Sequence, residues 1–176
     1  MRGLLAYLAY VVRHKWYVSV ECLKAGLIWR GLMHDMSKFR PSEFFPYARY
    51  FYNRDGTRRD RRDKSGYYKP TDSGDQAFDH AWFLHQKRNQ HHWQWWIFPD
   101  DGPGYSPWKP GEDTVYKLKI LPMSAAARKE MQCDWVGAGK AQGSLGVKDW
   151  YAKNRDKIIL HPDTRKAVDQ WLEKLP

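Results

Sequence analysis

The chain is poor in cysteine, in acidic residues and in long apolar runs. Among its 176 residues only Cys22 and Cys133 carry thiols, and they form no C-x-x-C spacing. That excludes a zinc ribbon or a disulfide-stapled scaffold. Both lie in helix-like segments and are expected as free thiols in a reducing compartment. The apolar run at the N-terminus ends at Val12, before Arg13-His14-Lys15. It falls well short of the ~20 residues that a bilayer span needs, and no small-residue cleavage site follows it. The run therefore reads as the first half of a core helix, with no membrane partner expected and a cytosolic location. No internal repeat is present, which excludes solenoid and propeller architectures.

The acid deficit is the second absence. Lys and Arg number 30 against 20 Asp and Glu, a net charge of +10. Such a balance suits an anionic partner such as a nucleotide, a phosphate or a nucleic acid. Eight basic residues and three aspartates fall between Arg49 and Lys69, so this stretch supplies half the net charge. Its interspersed aspartates equally suit a solvated loop. Aromatic residues make up 16% of the chain, with ten tryptophans. This is enough for a core and for a stacking surface. The length suits one domain that folds without disulfides.

Periodicity predicts an all-α chain. A helix is expected from Leu4 to about Leu23, then a second helical stretch ending at His34-Asp35. Pro41 opens a helix to about Tyr52. Residues 53–72 read as a polar surface loop. Helical spacing returns from about Asp75 to Asn89, and residues 99–113 form a second irregular insert, with loop character reaching about 116. Val115–Leu121 alternates like a short strand. Ser124 caps a helix to about Lys140 with Gly143 beyond its end, and helices over Val147–Ile158 and Pro162–Leu175 close the chain.

What the chain does have is histidine. In order come His14, His34-Asp35, His80, His85, His91-His92 and His161, with Asp134 as a late carboxylate. Neutral imidazole and carboxylate are the donors that hold divalent transition metals. At helical spacing His14 shares a face with Tyr7, Val11 and Val18, and His34 with Leu23, Leu27 and Gly31. His85 lies with Phe78, Ala81 and Trp82, and Asp134 with Ala127, Met131 and Ala138. Any one such histidine is most simply a hydrogen-bonded core residue. Four donors on four apolar faces point instead to a buried metal centre. His91-His92 reads either as a polar turn or, with His85, as part of a second metal site. His80 faces away beside Gln76, and His161 sits at a helix start without chemistry.

The set His14, His34-Asp35 and Asp134 resembles the H…HD…D ligands of the HD-domain metal-dependent phosphohydrolases. His34-Asp35-Met36-Ser37-Lys38 is similar to that superfamily's HDxxK form, in which the lysine lies near the substrate phosphate. His85 and His91-His92 resemble the extra histidines of binuclear members, which include cyclic-nucleotide phosphodiesterases. The runs HDMSKFRPSEFFPYARYF, AWFLHQKRNQHHW and DWVGAG resemble a small uncharacterised family of bacterial and phage HD-type proteins. The His14–His34 spacing is short and the gap from Asp35 to His85 long for the pattern.

The resemblance implies one HD-type helical domain with two loop insertions, in a bacterial or phage-infected cell. It implies divalent metals, two in number, from among Mn, Mg, Fe, Co and Ni. Asp35 would bridge them, and a hydroxide held between them would attack phosphorus. Lys38 would assist, with Arg30 and Arg88 as further substrate contacts and Trp93 as a platform for a base. Trp95 and Trp96 share that stretch, and at least one of the three belongs to the core. The expected substrate is a nucleotide or related phosphoester. A nuclease, a di-iron oxygenase on the same fold and a non-catalytic nucleic-acid-binding protein are the alternatives.

Overall fold

The computed structural model of the chain describes residues 1–61, 73–99, 117–144 and 146–175. Most of the expected loop over 53–72 and most of the second insert lie outside these residues. The architecture is all-α, with one small two-stranded sheet among the described residues. Helices α1 (Arg2–Lys24), α2 (Ile28–Met33), α3 (Pro41–Phe51), α4 (Gln76–Arg88), α5 (Ala125–Gln142), α6 (Val147–Asn154) and α7 (Pro162–Glu173) follow in order. Three 3₁₀ turns cover Met36–Phe39, Trp93–Trp96 and Arg155–Lys157. Strand β1 (Ile97–Pro99) pairs antiparallel with β2 (Leu118–Ile120), Ile97 opposite Ile120. The second strand falls inside the alternating segment. Its partner has no counterpart in the expected elements and ends at Pro99, where the irregular insert begins, because three residues carry too little alternation to register. No described helix is long and apolar enough to cross a membrane.

Local chemistry sets the helix ends. Pro41 and Pro162 occupy first-turn positions, where the missing N–H costs nothing. Ser124 accepts the Ala127 N–H at 3.2 Å, and Asp75 accepts that of Phe78 at 3.1 Å. Gly143 ends α5 at φ 61°, where a side chain would be strained. Helix α6 stops at Asn154 and tightens into 3₁₀ over Arg155–Lys157, short of the single helix expected to Ile158.

Three buried clusters hold the helices together. Tyr7 and Val11 of α1 meet Tyr47, Tyr50 and Phe51 of α3 and Phe78, Ala81 and Trp82 of α4. Tyr50 and Phe78 stack with centroids 3.8 Å apart, and truncating an aromatic buried as fully as Phe78 costs about 3–5 kcal/mol. A second cluster joins Ala127 and Met131 of α5 to Tyr151, Ile158, Leu160 and Val168. Between them Val18, Cys22 and Cys133 form a small third cluster, and both cysteines are free thiols. There α1 and α5 run in close contact. A Cβ on Gly137 would lie 2.8 Å from the Val18 backbone nitrogen, so only glycine allows this approach. The polar residues described next lie where α1, α2, α4 and α5 converge.

Candidate metal centre

His14 projects from the buried face of α1, in line with Tyr7, Val11 and Val18 as the spacing predicts. Its neighbours reach it by a different route. Helix α2 ends at Met33, and Asp35 takes a left-handed conformation at φ 54°. For a residue other than glycine this costs roughly 1 kcal/mol or more. The turn aims His34 and Asp35 together into the interior, each 1% exposed. The expected alignment of His34 with Leu23 is therefore not what buries it. Leu23 lies on a separate helix and is 60% exposed. Lys15 of α1 secures the turn by donating to the carbonyl of His34.

Asp35 is the centre of the arrangement. Its Oδ2 lies 3.2 Å from His14 Nε2 and 3.5 Å from His34 Nε2. Its Oδ1 lies 3.3 Å from His85 Nε2 and 3.2 Å from His91 Nε2. Asp134 of α5 closes the first side, its Oδ1 3.3 Å from His14 Nε2 and 3.6 Å from His34 Nε2. His92 joins Asp35, His85 and His91 on the second side. The donor atoms form two such groups, each within 4.8 Å: His14, His34 and Asp35, and Asp35, His85, His91 and His92. His34, His91 and Asp134 make a third that links the halves. Nε2 of His14, His34, His85, His91 and His92 and Oδ1 of Asp35 are buried and have no hydrogen-bond partner among the described residues. Orphaned buried donors are costly. Here they converge on one another, which is the arrangement a metal ion satisfies.

Two glutamates orient the imidazoles. Glu130 Oε1 lies 3.1 Å from His34 Nδ1 and 3.2 Å from His91 Nδ1. Glu43 Oε2 lies 2.8 Å from His85 Nδ1. A carboxylate holds the proton on Nδ1 and so leaves the Nε2 lone pair facing inward. Each glutamate is held in turn. Arg30 donates to Glu130 at 2.8 Å, and Arg88 donates to Glu43 at 2.6 Å. Ser37 donates to Glu43 at 2.8 Å.

The electrostatics match. Burial opposes charge throughout, and the neighbours overcome it at the carboxylates. His34 and His14 hold Asp134 well below the usual carboxylate range, and His34, Lys38 and His85 do so for Asp35. Burial pushes His14 down to about 4, so it is a neutral donor. Without metal His34 is pushed up to about 10 despite its burial, because Asp35, Asp134 and Glu130 surround it, so ligation requires it to give up its Nε2 proton. Lys38 is 5% exposed and donates to Asp35 Oδ2. Burial works against its charge, but Asp35 raises its pKa. It also lines a cavity of about 20 Å³ with Tyr7, Tyr10, Tyr47, Phe51, Tyr52 and Arg58, room for about one water.

Of the residues singled out in the sequence, His14, His34, Asp35, His85, His91, His92 and Asp134 come together, and Lys38 joins them. Arg30 and Arg88 face the orienting glutamates. Trp93 and Trp96 pack against the α5–α7 cluster. His80 is exposed, and His161 caps α7 by accepting the Asp163 N–H at 3.2 Å. Glu43 and Glu130 escaped the sequence reading. Glu130 had a signal, since it lies four residues before Asp134 and shares its helical face.

The fold and the donors define an all-α protein whose buried His/Asp cluster can hold metal. The chain belongs to a family of unknown function, DUF5662, whose model matches residues 4–174. Comparison with curated proteins and with solved structures returns no match.

Proposed function

We propose that the protein is a metal-dependent phosphohydrolase of the HD type, with two metal sites and a nucleotide or related small phosphoester as substrate. The observation that carries this reading is the division of Asp35. One oxygen faces His14 and His34, and the other faces His85 and His91. A carboxylate between two donor sets suits a bridging ligand. His14, His34, Asp35 and Asp134 would hold one ion, and Asp35, His85, His91 and His92 the other. Metal ions bound there supply Lewis acidity and a water acidic enough to ionise near neutral pH. The ligand set is rich in imidazole, which suits Fe, Co or Ni better than Mg or Mn.

The chain's own residues do the rest. Glu130 and Glu43 keep the imidazoles in register. Lys38 is buried beside Asp35 and donates to its Oδ2, where a compact ammonium can meet phosphoryl oxygens. The loop arginines favour a small substrate over a polynucleotide. Arg58 stacks over Tyr10 at 5.5 Å and Arg61 over Tyr50 at 4.7 Å. Arg59 donates to Asn53 at 2.8 Å. Arginines held on the protein's own surface are poorly placed to follow a nucleic-acid backbone. Arg62 lies outside the described residues.

The test is phosphate release from a panel of nucleotides and phosphoesters with Mn²⁺, Mg²⁺, Fe²⁺, Co²⁺ or Ni²⁺, beside Asp35→Asn. Metal-dependent release that Asp35→Asn abolishes supports the reading. Bound iron with oxygen consumption and no phosphate release would replace it with an oxygenase. Salt-sensitive nucleic-acid binding without metal-dependent turnover would replace it with a binding protein.

A further inference from the structure

Helix α1 is apolar on two opposite faces. One face carries Tyr7, Val11, His14 and Val18 into the interior. The other presents Leu5, Leu8, Val12, Trp16 and Leu23 to solvent, at 64%, 36%, 54%, 66% and 60% exposure. Their spacing of three, four, four and seven residues keeps them on one stripe. Helix α2 widens the patch. It crosses α1 with Gly31 against Ser19 and Cys22, and Ser19 donates to the Gly31 carbonyl at 2.9 Å. Its Ile28, Trp29 and Leu32 are 60%, 72% and 58% exposed.

Two tryptophans at such exposure contribute about 300 Å². With six aliphatic side chains the patch is of the order of the ~800 Å² per partner of a standard specific interface, above the ~300–600 Å² that a monomer leaves in one patch. Its rim is cationic, with Arg2, Arg13 and Lys24 exposed on α1, while Arg30 of α2 is half-buried against Glu130. No charged side chain interrupts the stripe itself.

We infer that this α1–α2 face is the interface of a homodimer, a second copy of the chain laying its own α1 stripe against this one. A self-complementary patch on one continuous helix gives the closed, two-fold contact that most homo-oligomers use. The area matches such a contact, and an aliphatic centre with tryptophans is the composition of an interface core. The rim arginines and lysines of the two copies face each other across the contact. Salt therefore strengthens the dimer by screening like charges. An anionic lipid surface would be the other occupant of a cation-rimmed apolar face, and its binding weakens with salt. The two occupants are thus told apart by the sign of one effect.

The experiment is sedimentation velocity on the full chain across micromolar concentrations at low and high salt. It is run beside Val12→Glu/Trp29→Glu and the milder Trp29→Ala, with circular dichroism and metal content recorded for each. Neither position touches the metal centre. Expected are a dimer for the wild type, tighter at high salt, a folded metal-binding monomer for the double variant, and self-association at least tenfold weaker than wild type for Trp29→Ala. A wild-type monomer throughout the range overturns the inference, as does a dimer that both variants leave unchanged. If the double variant unfolds, unchanged self-association of folded Trp29→Ala still refutes it. Flotation with phosphatidylglycerol vesicles that salt abolishes, from a monomeric wild type, assigns the face to lipid instead.

Discussion

Replacing Glu130 by glutamine tests the centre most sharply, because Glu130 touches no ligand-binding nitrogen yet orients two. Its Oε1 faces the Nδ1 atoms of His34 and His91, and its Oε2 accepts from Arg30. Glutamine is nearly isosteric but has one acceptor oxygen and one donor amide. If the oxygen faces the imidazoles, the amide confronts the Arg30 guanidinium, donor against donor. If it faces Arg30, both Nδ1 protons lose their acceptor. Either way two ligands lose the carboxylate that fixes their tautomer. Loss of such a partner weakens metal binding by roughly 10–100-fold, or about 1.4–2.8 kcal/mol. The assay is competition against a chelating dye with Co²⁺ or Mn²⁺, with exposed Glu173→Gln as control and melting curves to show the fold intact. Wild-type affinity in folded Glu130→Gln would refute the orienting role and the inward direction of the His34 and His91 lone pairs.

Other consequences follow from the same geometry. In metal-free protein His34 is raised to about 10 against an ordinary 6.5, because Asp35, Asp134 and Glu130 outweigh its burial. Its contribution to stability is complete below about 6.5 and is lost as pH rises through about 10. Melting temperature of chelator-treated protein should fall across that window, while a bound metal, which itself requires deprotonated His34, removes this slope. Saturation at a hundredfold above the dissociation constant should add about 2.7 kcal/mol per site, a rise of roughly 5–10 °C for a chain of this length. No rise at saturating metal would make the histidines ordinary core residues. Lys38→Ala should keep metal content and lose roughly ten- to thousand-fold in turnover, with Lys38→Arg restoring part; wild-type rates in Lys38→Ala would remove it from the mechanism. Neutralising Arg58, Arg59 and Arg61 should leave turnover of a small nucleotide largely intact, and loss on every small substrate would overturn that ranking. Gly137→Ala should force α1 from α5 at Val18, lowering stability by about 1–3 kcal/mol and weakening metal binding through His14 and Asp134; an unchanged melting temperature would argue against the close approach.

Much of this protein is written in local pattern. The helices announce themselves by periodicity, and their ends by Pro41, Ser124, Gly143 and Pro162, because capping and proline geometry involve only a few neighbouring residues. His14 and His85 each line up with apolar neighbours on a single helix, so their burial is legible from spacing, and the same alignment turns half-buried Asp134 inward. The pairing of His34 with Asp35 needed only adjacency in the chain.

Tertiary structure decided the rest. The left-handed turn at Asp35 buries His34, whereas the helical face expected to join it to Leu23 is divided between α1 and α2. Arg30 and Arg88, read as substrate contacts, face Glu130 and Glu43, because a surface cation and an anchoring cation look alike until their partners are placed. Glu43 in the first turn of α3 reads as a favourable charge at a helix start, yet it holds His85 from 42 residues away in the chain. Spacing within one helix fixes which side chains share a face. Which faces meet depends on packing between segments separated by long connections, and that is where the two halves of the centre, joined through Asp35, are made.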